Sequence, residues 1–274
     1  MIFSPAVWLR SLIKPEPGVA IAYVDWSSME FCIAAAKSGD PDMLKFYAND
    51  PYLSFAERVG AAPAHATKHS HGVLRDRYKT GVLAIQYGIS AVTLAGRLGI
   101  SVFAAHEMVA QHHELFPVYW RWAEDWLAHA LDTGVMWTPL GWECRTGITE
   151  FNGRSIANFP VQATGADILR LSIVWATRHG LRLLAPVHDA LLIEAPIERI
   201  EADVALLQEI MRRASRVVLN PTADGMLELR TDAKIIRYPD RYTDPRGDAI
   251  WKHVLTFLAE YRKQTAAHPE AANG

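Results

Sequence analysis

Asp25 closes the apolar run Gly18–Val24. Asp189 interrupts a longer one, standing with His188 between Leu181–Val187 and Ala190–Ala195. Both runs are short and rich in Val, Leu and Ile, as buried strands are. A carboxylate at a strand end is held rigidly and can still face solvent. Two such groups brought together repel each other, and a divalent cation relieves that cost. Oxygen-only ligation beside a phosphate substrate suits Mg²⁺. A pair of such ions can activate an attacking oxygen and stabilise a leaving one in phosphoryl transfer. Taken singly, either aspartate reads as a turn residue or a helix cap.

A second set lies in "RDRYKTGVLAIQYG", Arg75–Gly88. Arg75, Lys79, Leu83 and Tyr87 recur every fourth residue. Each step drifts about 40° on a helix, so the four share a stripe roughly 120° wide. Two cations at one end suit a triphosphate, and a ring beside a glycine bend suits a stacked base. Alone, the stripe is equally a solvated basic turn followed by an apolar packing face.

The surrounding elements follow from periodicity and caps. Gly18–Val24 is a strand, and Ser27 or Ser28 caps a helix over Met29–Lys37 that Gly39-Asp40-Pro41 stops. Asp50-Pro51 opens a helix to about Val59. Further helices are expected at His71–Tyr87, Ser90–Leu98, Val102–Leu115 and Val118–Thr133. A hairpin is expected over Val135–Thr138 and Trp142–Thr146. A long helix over Pro160–His179 is closed by Gly180. The His188 ribbon, a helix over Ile197–Leu219, a strand near Leu227–Ile236 and a helix from Gly247 to Arg262 complete the chain. Helices fill the middle and strands lie early and late, which predicts an α+β sheet platform with a helical insertion.

The chain has 274 residues, half of them apolar, and a formal net charge of −2. Any nucleic-acid contact must therefore come from local patches rather than a global basic character. Cys32 and Cys144 lack CxxC spacing and read as free thiols of a reducing compartment. No stretch reads as a signal peptide or membrane span. A cytoplasmic location is expected, and no membrane partner.

Four segments resemble, in order, the signature motifs of family A DNA polymerases, the DNA polymerase I family. "VDWSSMEFCIAAAKSGDP" (Val24–Pro41) resembles motif A, and Arg75–Gly88 resembles motif B, R-x3-K-x3-hydrophobic-x3-Y-G. "VHDALLIEAP" (Val187–Pro196) resembles motif C. "RSIANFPVQATGADILRLSIV" (Arg154–Val174) resembles the family's R-x3-N-x-P-x-Q block. "DPYLSFAERVG" (Asp50–Gly60) is similar to the segment that follows motif A.

The resemblance implies a role for each matching residue. Asp25 and Asp189 would bind two Mg²⁺ ions, with Mn²⁺ as a substitute. Glu30 would be the steric gate against a ribose 2′-hydroxyl. Arg75 and Lys79 would hold the incoming triphosphate, and Lys79 could protonate the leaving pyrophosphate. Leu83 and Tyr87 would line the nucleotide site. Arg154, Asn158 and Gln162 would touch the primer–template, and His188 the primer terminus. The implied fold is α+β: a polymerase palm, an antiparallel sheet with packed helices, carrying a helical fingers insertion. Residues 1–55 and 134–262 would be palm, 56–133 fingers with the motif B helix at about 71–87, and 263–274 a flexible tail. No thumb or exonuclease domain is expected.

The implied activity is template-directed DNA polymerisation, adding deoxynucleotides to a primer 3′ end without proofreading and with low processivity. Primer–template DNA and deoxynucleoside triphosphates are the implied partners. A separate subunit in place of the thumb, and a nucleoid-associated location, are further expectations. Two other readings stay open. One is a non-catalytic primer–template-binding relic, against which the retained Asp25, Asp189, Lys79 and Glu30 argue. The other is a terminal transferase or reverse transcriptase on the same site.

Departures from the family pattern are specific. Ala190 stands where motif C has Glu, leaving Glu194 as the ribbon's remaining carboxylate. Leu83 replaces an aromatic residue, and Trp26 and Ser28 replace Tyr and Gln. Outside the motifs, plain readings suffice. His65, His69 and His71, like His106, His112 and His113, lack a further ligand for zinc. Trp120, Trp122 and Trp126 share a helix and read as packing. The basic run Arg212-Arg213…Arg216 reads as a solvated helix face.

Overall fold

The computed structural model describes residues 6–147, 153–220 and 227–267. The chain divides into two compact units. The first comprises Met1–Asp25, Ala176–Gln208 and Ala233–Gly274; the second comprises Trp26–Trp175 and Glu209–Asp232.

The main sheet has four strands in the order β4-β5-β1-β6. They are β1 (Val19–Trp26), β4 (Arg182–Val187), β5 (Ala190–Pro196) and β6 (Thr231–Arg237). β5 is antiparallel to both β1 and β4. The His188-Asp189 pair is the two-residue turn of the β4–β5 hairpin. β1 runs one residue past Asp25, because Trp26 is buried. In the first unit, Ile21, Ile236 and Tyr242 form a buried cluster, with Ile13 and Tyr23 packed on it.

The second unit holds α1 (Met29–Ser38), α2 (Pro41–Ala48), α3 (Pro51–Arg58), α4 (Gly72–Gln86), α5 (Ala91–Leu98), α6 (Val102–Leu115) and α7 (Pro117–Thr133). It also holds the small hairpin β2 (Val135–Trp137) and β3 (Glu143–Arg145). Most of α8 (Gly153–Arg178) and the C-terminal half of α9 (Ile200–Leu219) belong to it as well. In the first unit, α10 (Asp248–Ala267) continues past position 263, where a tail was expected; residues 268–274 lie outside the described residues. Phe31, Phe55 and Phe116 are fully buried, and Phe31 and Phe55 each meet Phe116, at ring centroid distances of 5.9 and 6.0 Å. Each contributes about 1.5–3 kcal/mol of burial.

Three local features differ from the sequence expectation, each for a physical reason. Ser28 does not cap α1 with its side chain; it sits at φ +54°. Asp40 starts a helix instead of only ending one. Its Oδ1 accepts from the backbone N–H groups of Asp42 and Met43 at 3.1 Å, opening α2. Its Oδ2 accepts from those of Val118 and Tyr119 at 3.2 and 3.1 Å, opening α7. One buried carboxylate thus satisfies four orphan donors of two helices.

The third difference is α8, which begins at Gly153 and encloses Pro160 rather than starting there. Proline cannot donate to the carbonyl four residues back. That carbonyl belongs to Ile156, and it accepts instead from Trp126 Nε1 at 3.1 Å. The helix survives its proline because a tryptophan supplies the missing donor.

His112 is a core histidine. It is buried, accepts from Trp120 Nε1 at 3.1 Å, and burial lowers its pKa to about 3. Among the described residues, no group of three or more His, Cys, Asp or Glu could hold a metal, and no helix is long and apolar enough to cross a membrane.

The double cap gives a test. Asp40→Ala orphans four amide groups and should cost about 2–3 kcal/mol, measured as a lower urea midpoint at unchanged slope. Loss below about 0.5 kcal/mol would show that water replaces the carboxylate.

Candidate active site

The β1–β5 register sets Asp25 directly opposite Ala190. Asp189, next in sequence to Ala190, therefore lies at the same strand end. Asp25 and Tyr23 share one face of β1, since alternate residues do. The Tyr23 phenol feels both carboxylates: burial chiefly raises its pKa, then Tyr242, Asp189 and Asp25 add to the rise. Two negative groups thus act on one ring from one end of the sheet. Asp189 is partly exposed, and His188 Nδ1 lies 3.7 Å from its Oδ1.

The backbone around these aspartates is unusual. Among the described residues, the two non-glycine residues with positive φ are Ser28 (54°) and His188 (55°). One follows Asp25 by three residues and the other precedes Asp189. Left-handed backbone costs a non-glycine residue roughly 1–2 kcal/mol, and such strain gathers where function fixes geometry.

Among the described residues, no third carboxylate joins the pair to make a metal-holding group. Ala190 presents a methyl group opposite Asp25. Glu194 lies on the same sheet face but four residues along β5, about 13 Å away by strand rise, and it pairs with Arg182 at 2.8 Å. Two oxygen donors, partly open to solvent, fit a hard cation that keeps its remaining coordination for water and phosphate oxygens.

In the second unit, α1, α4 and α8 bring three of the expected residues into one hydrogen-bonded group. Tyr87 OH donates to Glu30 Oε1. Gln162 Nε2 donates to the same oxygen at 2.9 Å and also to Tyr87 OH. Burial and the Glu30 carboxylate together raise the Tyr87 pKa, so the phenol remains a neutral donor. The Glu30 carboxylate is thereby fixed from two sides.

Beside this group lies an open cavity of about 510 Å³, lined by Glu30, Leu83, Tyr87 and Arg154 among others. Gly88, at φ +71°, faces Arg154: a Cβ there would sit 3.9 Å from Arg154 Cγ. Asn158 instead lines a slit of about 10 Å³ with Glu30 and Tyr87. Arg97, on α5, also lines the larger cavity. No motif spacing pointed to it, since α5 reaches the cavity only through tertiary packing.

The basic end of α4 splits. Arg75 is mostly buried, ion-pairs with Asp50 and lies 5.3 Å from the Tyr52 ring centroid. It lines a separate cavity of about 440 Å³. Asp50 thus caps α3 with Oδ1 and holds Arg75 with Oδ2. Lys79, one turn on, is exposed and lines neither cavity.

A mixed arrangement of helices and antiparallel sheet is the fold of a polymerase domain. It matches the POL domain of Pol1 from M. smegmatis, solved in complex with DNA primer-template and dNTP. The TM-score is 0.68 over 84% of this chain and 41% of that one, at 24% identity. The chain belongs to DNA polymerase family A, whose family model matches residues 5–234. DNA polymerase I of Chloroflexus aurantiacus is 30% identical over 229 residues, 78% of this chain and 24% of that protein. The thermostable DNA polymerase I of Thermus aquaticus is 29% identical over 217 residues, 74% of this chain and 26% of that one. The chain therefore spans about a quarter of the length of these relatives.

A double-mutant cycle tests the Glu30 group. Tyr87→Phe and Glu30→Ala should couple by about 1–2 kcal/mol in urea unfolding, as a hydrogen bond to a carboxylate does. Additivity of the two would mean that the phenol does not hold Glu30.

Proposed function

We propose that this chain is a DNA polymerase that extends a primer 3′ end with deoxynucleotides on a template. The observation that carries the proposal is the register that puts Asp25 and Asp189 at one strand end. Membership of family A supports it, as does the fixed Glu30 beside an open cavity. In this reading residues 1–55 and 134–262 form the palm and 56–133 the fingers.

In the reaction, the primer 3′-oxygen attacks the α-phosphorus of the nucleotide, a new P–O bond forms, and pyrophosphate leaves as the old one breaks. The 3′-hydroxyl proton passes to solvent water in the same exchange. Such a reaction needs little covalent work from protein side chains; positioning and charge stabilisation suffice. Asp25 and Asp189 would hold two Mg²⁺ ions, which supply charge neutralisation at the phosphates and a more acidic attacking hydroxyl.

The other side chains bind and orient. Arg75, steadied by Asp50, and Lys79 would neutralise the triphosphate. Lys79, exposed on α4, would also deliver a proton to the leaving pyrophosphate. Glu30, clamped by Tyr87 and Gln162, would stand against a 2′-hydroxyl and so select deoxyribose. Leu83 and Tyr87 would flank the sugar and base. Arg154, Asn158 and Gln162, spaced along α8, would follow the primer–template, with His188 at the primer terminus.

The test is primer extension with Mg²⁺ on DNA and RNA templates. Wild type should extend on DNA, and Asp25→Asn and Asp189→Asn should each slow extension by on the order of 10²–10³-fold or more. Equal inertness of wild type and variants would overturn the proposal. Preferred extension on RNA would redirect it to reverse transcription.

A further inference from the structure

The cavity of about 440 Å³ is more than the seat of Arg75. Its wall carries four cations, Lys68, Arg75, Arg212 and Arg230, against two carboxylates, Asp50 and Asp232. All six belong to the second unit. Both carboxylates are engaged within the wall. Asp50 is taken by Arg75, and Asp232 accepts from Ser27 Oγ at 2.6 Å.

The cations are differently placed. Lys68 makes no ion pair among the described residues. The Arg230 guanidinium lies 4.5 Å from the Tyr47 ring centroid and donates to the Asn49 carbonyl at 2.7 Å. Its own backbone N–H donates to Tyr47 OH at 2.9 Å, so ring and arginine fix each other. Arg212 donates to Glu209 at 2.7 Å. A guanidinium has five N–H donors, and these contacts leave several on each arginine to spare. The run Arg212–Arg216 is thus not simply a solvated face. Arg213 lies over Trp175, Arg216 pairs with Glu209 and Glu228, and Arg212 is left in the cavity wall.

A roomy, water-open cavity with a positive excess and pre-oriented arginine forks suits a compact, multiply charged oxyanion. Arg75 connects it to the proposed triphosphate site. We infer that Lys68, Arg212 and Arg230 form a holding site for inorganic pyrophosphate, the leaving group of the proposed reaction. The inference rests on that reaction for its physiological ligand, but not for the binding itself. No bond is made or broken there: pyrophosphate arrives as the anion released at the α-phosphorus and departs to solvent. Lys68 comes from the loop before α4, Arg212 from α9 and Arg230 from the segment entering β6. None of the three lies in the segments that resemble the motifs.

Calorimetric titration of the full chain with pyrophosphate, in metal-free buffer, tests the site without any turnover. Wild type should bind one pyrophosphate, and Arg212→Ser/Arg230→Ser should weaken binding at least tenfold. Arg212→Lys/Arg230→Lys should recover part of it, and Lys263→Ser on α10 should change nothing. Circular dichroism melts of each variant separate lost binding from lost folding. Equal affinity in the folded serine variant would overturn the inference, as would orthophosphate binding as tightly as pyrophosphate.

Primer extension separates the two proposals. Pyrophosphate should inhibit wild type at several-fold lower concentration than it inhibits the serine variant. Active enzyme with unchanged inhibition would overturn the pyrophosphate site and leave the polymerase proposal standing. An inert chain that still binds pyrophosphate through Arg212 and Arg230 would do the reverse.

Discussion

The β1–β5 register, which brings Asp25 and Asp189 to one strand end, is the constraint on which the candidate site depends. The β1–β5 ladder leaves Asp25 no freedom along the sheet. It is opposite Ala190, and Asp189 is one residue away. Slipping the register by one residue would turn Asp25 to the other face. The ladder is held by its apolar sides, since Ala20, Ala22, Val24, Leu191 and Ile193 are all essentially fully buried. Apolar burial therefore fixes where Asp25 stands along the sheet, and left-handed backbone occurs at Ser28 and His188, near the two aspartates in sequence. Such an arrangement makes chemical sense if a cation comes between the carboxylates.

The second unit solves a different problem, that of holding one carboxylate still. Glu30 sits in the first turn of α1, where the positive helix end favours it. Tyr87 closes α4, and Gln162 reaches from α8. Packing sets the three helices at the required distances. Gly81 lets Met108 of α6 lie directly on α4, where a Cβ would collide with the Met108 side chain. Gly165 similarly lets Met29 of α1 approach α8, with a Cβ there only 3.3 Å from Met29 Cε. A Cβ at either glycine would press on the flexible end of a methionine side chain rather than on backbone.

Much of this was legible in the sequence, where the signal was local. Asp50-Pro51 announced α3, the four-residue spacing announced α4, and two apolar runs around a polar pair announced a hairpin. Long-range contacts were illegible. Asp40 caps a helix 78 positions downstream, and no local pattern encodes that. The helix through Pro160 depends on Trp126, whose indole happens to meet the freed carbonyl. Glu30, Tyr87 and Gln162 were each picked out by resemblance, but their mutual hydrogen bonds emerge only from packing. Arg97 and Arg230 carried no signal at all, and the basic run at Arg212 pointed toward solvent rather than a cavity.

Manganese binding to the paired aspartates is the most direct measurement. Electron paramagnetic resonance counts free Mn²⁺ in titrations of wild type, Asp25→Asn, Asp189→Asn and the double variant. If the two carboxylates form one cation site, each single variant should lose nearly as much affinity as the double, a strongly non-additive cycle. Independent, additive losses, or binding unchanged by either substitution, would contradict the account.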